Sequence, residues 1–126
     1  MDCNPQDTNF VEVPFGEIVK RLTLLFHIRF NYFFWVMDVL CHDEKYEGSL
    51  YKYIADKHGI KQGTVASALG QIPDRARRFA PDIFTDITGS DSPVLPLPFL
   101  HLCADWIKTN TNNTLILRRP RATFFR

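Results

Sequence analysis

Cysteine is scarce in this chain. Cys3, Cys41 and Cys103 are odd in number and far apart, which excludes a disulfide framework. They read as reduced thiols of a cytoplasmic protein. No cysteine pair stands at Cys-x2-Cys spacing, and His42, His58 and His101 do not complete a zinc-finger pattern. No metal and no cofactor is therefore expected. The chain also lacks a Gly-rich phosphate loop and a close pair of acids. His101, Cys103 and Asp105 are spaced so that a helix points them to different faces. These absences argue against an enzyme. A long uninterrupted apolar run is missing too. The greasiest stretch, residues 22–40, is broken by His27, Arg29, Asn31 and Asp38, so no membrane span is expected. The N-terminus is polar and acidic, unlike a signal peptide. Finally, there is no large excess of one charge: the formal net charge is +1.

What is present is enough for one folded domain. The 126 residues are 45% hydrophobic and 13% aromatic, which excludes a disordered chain. The near-zero net charge hides a strong pattern. Residues 1–47 carry four basic and eight acidic side chains, net −4, and residues 48–78 carry six and two, net +4. Residues 79–117 carry one and four, net −3, and residues 118–126 carry four and none, net +4. A phosphate-binding surface needs local positive potential, not a basic total.

Apolar periodicity predicts a mainly α fold in a single helical domain. Residues 1–9 read as a flexible tail, and residues 10–14 (FVEVP) as a short strand or extended lead-in. One long helix is expected over residues 15–41, so apolar that it must be mostly buried. A break near Asn31 is the alternative. Ser49 suits an N-cap for the next helix. Pro73 closes a later one, and residues 74–80 and 81–87 read as short helices. Residues 88–98 read as a partly polyproline loop. Residues 98–109 form an amphipathic helix burying Phe99, Leu102, Cys103, Trp106 and Ile107. Residues 110–113 are expected to turn, and residues 114–119 to make a short β element near the C-terminus. The basic tail, residues 118–126, follows.

The most informative stretch is residues 51–72, YKYIADKHGIKQGTVASALGQI. It predicts two helices and a sharp turn. Ile54 and Ala55 face inward from the first helix, and the small Ala55 allows a close crossing. Gly59 occupies a left-handed turn position, and Ile60 plugs the corner. Val65 and Ala68, or Leu69, face inward from the second helix. The outward positions Lys61, Gln62, Gly63, Thr64, Ala66 and Ser67 are polar or small, suiting phosphates and base edges.

GIKQGTVASAL, with its Ala-x3-Gly-Ile-x4-Val spacing, resembles the turn and recognition helix of bacterial helix-turn-helix repressors, including the lactose-repressor type. The preceding KYEGSLYKYIADKHG is similar to the lead-in of winged-helix regulators and of some phage and plasmid replication initiators. The likeness covers about residues 48–72, a fifth of the chain. No β-hairpin signal follows the second helix, which departs from the winged pattern. The resemblance implies sequence-specific binding of double-stranded DNA by a small transcriptional regulator or repressor in the nucleoid. Gln62 would read a base, and Lys61, Thr64 and Ser67 would meet phosphates or base edges. Tyr51, Lys52, Arg75, Arg77 and Arg78 would hold the backbone. Arg118, Arg119 and Arg121 would extend as an arm along a minor groove. A homodimer is expected, because one such helix reads few base pairs. Its interface would come from the long aromatic helix or from residues 99–107. Two alternatives stand beside this: a phage or plasmid replication, partition or packaging initiator, and an interaction module or inhibitor that presents the same unit to a protein partner.

Overall fold

The computed structural model describes residues 14–43, 46 and 48–112. Among them lie seven helices and no strand: α1 (Phe15–Phe26), α2 (Phe30–His42), α3 (Leu50–His58), α4 (Gln62–Gly70), α5 (Ile72–Phe79), α6 (Pro81–Thr88) and α7 (Pro96–Asn112). The mainly α fold expected from periodicity is the fold observed. The lead-in at residues 10–13, the C-terminal β element and the basic tail lie outside the described residues.

The expected single helix over residues 15–41 is two helices. α1 stops at His27, a non-glycine residue in the left-handed region (φ 58°, ψ 48°). The His27 N–H bonds to the Leu24 carbonyl and the Ile28 N–H to the Thr23 carbonyl, a closed helix end. The break has a packing reason. A continuous greasy helix would leave one side in water. Split in two, it buries Ile18, Val19, Leu22 and Phe26 from α1 together with Phe33, Val36 and Met37 from α2 in one core. α1 and α2 pack on each other, and both pack on α7. Burial is not complete: Leu24 remains 68% exposed.

α7 supplies Phe99, Leu100, Cys103 and Ile107, all fully buried. Phe99 lies 6.1 Å from Phe26 and 5.4 Å from Phe84 between ring centroids, tying α7 to α1 and α6. These residues are spent within the chain, so a second copy would have to dock elsewhere. α7 is also longer than its pattern suggested. It begins at Pro96, where proline fits a first helical turn, and it runs through the expected turn at residue 110 to Asn112. Asn110 prolongs it: buried, its side-chain amide donates to the Trp106 carbonyl at 2.7 Å.

Both described cysteines are protected thiols. Burial pushes Cys41 up to about 11 and raises Cys103 well above its usual value. Cys103 is buried, whereas His101 and Asp105 are exposed, so the three do not meet. Among the described residues no group of three His, Cys, Asp or Glu side chains could hold a metal ion. No helix there is long and apolar enough to cross a membrane.

Candidate nucleic-acid interface

α3 and α4 form a compact pair. Ser49 caps α3, its hydroxyl oxygen accepting from the Lys52 N–H at 3.3 Å. Gly59 ends α3 at φ 67°, ψ 35°, a conformation that costs an L side chain about 1–2 kcal/mol. The Ile60 N–H returns to the Ala55 carbonyl at 3.0 Å. Lys61 is then the extended residue before α4, and makes no side-chain cap bond. Ile54 and Ala55 are buried from α3, and Val65 and Leu69 from α4. Leu69, not Ala68, is the second anchor. Ala68 is half-buried at the edge of a groove.

The opposite side of α4 is open. Lys61, Gln62, Gly63, Thr64 and Ser67 are exposed, while Ala66 is half-buried. No acidic residue lies in the first turn of α4. A Cβ built on Gly63 would meet no atom within 4 Å. Space inside the chain therefore gives no reason for glycine at that position.

The flanking residues divide. Tyr51 is half-buried, and burial raises its phenol above its usual value. Lys52 is exposed and pairs with Asp56 at 2.7 Å, a surface pair worth little. Arg75 and Arg78 each place the guanidinium carbon 5.4 Å from the Phe79 ring centroid. Arg75 also donates from Nε to the His27 carbonyl at 2.8 Å. Arg77 turns instead to the Asp91 carbonyl, at 2.6 Å, and lines a shallow pocket with Asp74, Asp91 and Arg78, so of the three arginines Arg75 alone lines the groove beside α4. Arg77 is not brought to the α4 face. Arg118, Arg119 and Arg121 lie outside the described residues.

Sequence reasoning missed one wall of this surface. The α1–α2 turn comes up beside α4, and between them opens a groove of about 590 Å³. His27, Arg29 and Tyr32 form one side, and Thr64, Ser67 and Gln71 the other, with Arg75 also in the lining. The His27 ring stacks on Phe79 at 4.2 Å with 17° between planes. His27 and Arg29 are polar within a greasy run, but such residues also suit the solvent side of a continuous helix, so they do not locate a break. Compared with known proteins, the chain matches no family model, no curated protein and no solved structure.

Proposed function

We propose that the chain binds double-stranded DNA sequence-specifically through α4, as a small regulator of transcription. One observation carries the reading. A short helix anchored from behind by Val65 and Leu69 turns Lys61, Gln62, Gly63, Thr64 and Ser67 to solvent, with no carboxylate in its first turn. Such a face fits a major groove, with Gln62 against a base edge and Lys61 against a phosphate. Arg75 and Arg78 supply positive charge on the neighbouring helix. A homodimer on a palindromic site would double the contacts.

The test is binding of the purified chain to a labelled duplex across about 50 to 200 mM salt. Three phosphates held per complex give a logarithmic slope near −2.7, or roughly a fortyfold loss of affinity over that range. Absence of binding at low salt overturns the reading. Gln62→Ala then separates reading from mere attachment. It is expected to cost about 1–3 kcal/mol on the preferred site and little on random DNA. Equal losses on both would remove Gln62 as a base reader.

A further inference from the structure

The groove between the α1–α2 turn and α4 has a lining that packing does not explain. Its two permanently charged side chains, Arg29 and Arg75, have the same sign, and no carboxylate is among the lining residues; Asp74, the neighbour of Arg75 on α5, lines a different pocket. Neither arginine joins an ion pair with a described residue. Like charges across a shared cleft are stabilised by an anion between them. Arg75 is already oriented. Its Nε is held by the His27 carbonyl, and its other N–H donors remain for a ligand. Thr64 and Ser67 add hydroxyls from α4, and Tyr32 adds an aromatic ring. The start of α2, at Arg29, lacks both a side-chain cap and an acidic first turn, which adds to the positive potential on that wall. The volume of about 590 Å³ lies within the usual range for small-ligand sites.

We propose that this groove binds a phosphate-bearing ligand of nucleotide size. Arg29 and Arg75 hold the phosphate bidentately, Thr64 and Ser67 complete its shell, and Tyr32 lies against the base. The same chemistry is offered by a free nucleotide and by one nucleotide unit of a DNA strand. The site stands on the groove itself and does not require α4 to read duplex DNA.

The experiment is an amide NMR titration of the whole chain with 2′-deoxyadenosine 5′-monophosphate, with 2′-deoxyadenosine as the control. Saturable shifts are expected at residues 27–32 and at Thr64, Ser67 and Gln71, with the unphosphorylated control at least about tenfold weaker. Arg29→Gln, an exposed position, should weaken the nucleotide about tenfold and leave the melting temperature unchanged. No saturable shift up to about 10 mM overturns the proposal. So do shifts that map elsewhere, or an unchanged affinity in Arg29→Gln. A labelled duplex in competition assigns the source. Displacement of the duplex by the nucleotide, together with a similar loss of duplex affinity in Arg29→Gln, supports a DNA unit in the groove; duplex affinity unchanged in Arg29→Gln while nucleotide affinity falls supports a free ligand. Duplex binding without any nucleotide binding removes the groove site and leaves the α4 reading standing.

Discussion

The α1–α2 pair and the α3–α4 pair are built on opposite terms. α1 and α2 bury five and four residues respectively, most of them large and apolar, and α3 and α4 bury three and two. The first pair is held by large side chains packed on each other and on α7, although Leu24 and Phe30 stay exposed. The second is held by local devices: a serine cap, a left-handed glycine and a few anchors. Packing-rich elements carry the stability of a domain, while contact-poor elements are free to present side chains to something else. The largest test of that division compares Phe33 with Ser67. Phe33→Ala empties a fully buried site 6.0 Å from the Phe26 ring and is expected to cost about 3–5 kcal/mol in urea unfolding. Ser67→Ala on the open face should stay within about 0.5 kcal/mol. Comparable losses would erase the distinction.

A finer test lies inside the α3–α4 pair, in two glycines four residues apart on either side of the turn. Gly59→Ala places a Cβ at φ 67° and should destabilise by about 1–2 kcal/mol. Gly63→Ala meets open space in a helix and should stabilise by roughly 0.5–1 kcal/mol. The two thermal shifts should therefore have opposite signs. If Gly63→Ala also weakens DNA binding, the glycine serves close approach of a partner. If binding is unchanged, Gly63 has no role in that contact.

The two pairs were not equally legible in the sequence. Ser49, Ala55, Gly59 and Val65 encode their roles through short-range hydrogen bonding, backbone preference and spacing, and each is found in the expected place. The same local logic located α5 and α6, with Pro81 opening α6 as expected; Pro73, expected to close α4, instead sits in the first turn of α5, and α4 ends at Gly70. The α1–α2 break was not legible at its true position, because nothing local to His27 demands it. It is fixed by groups distant in sequence: Phe79 stacks on the His27 ring, and Arg75 holds the His27 carbonyl. The groove depends on that break, so its His27–Arg29–Tyr32 wall was invisible for the same reason. The continuation of α7 past residue 110 is similar, since Asn110 reads as a turn residue until it is buried. His27 itself can be tested. His27→Ala keeps the left-handed backbone and loses the stacking, so it should cost about 0.5–1.5 kcal/mol in thermal unfolding. His27→Gly loses the same stacking but relieves the backbone, and should recover about 1 kcal/mol of that cost. A glycine variant weaker than the alanine variant would mean that the break is not held against a backbone penalty.

The smallest expected effect lies at the seam between the two pairs. The His58 ring, at the end of α3, stacks on Trp35 of α2 at 3.8 Å with 11° between planes. Partial burial lowers the imidazole below its usual value; Lys57 adds to this and Asp38 opposes it. The folded chain therefore holds His58 neutral at pH values where the unfolded chain already protonates it. That contribution is fully present above the unfolded value of about 6.5 and is lost as pH falls through the lower folded value. Urea unfolding midpoints should accordingly decline between about pH 7 and pH 5, and more steeply in the wild type than in His58→Gln. Trp35 reports the same event, because protonation places a cation against the indole face. The wild-type fluorescence should titrate with a midpoint below about 6.5, and this step should vanish in His58→Gln. Identical pH profiles for the two proteins would show that the seam is indifferent to the charge of His58, and that α3 is seated on α2 by apolar contact alone.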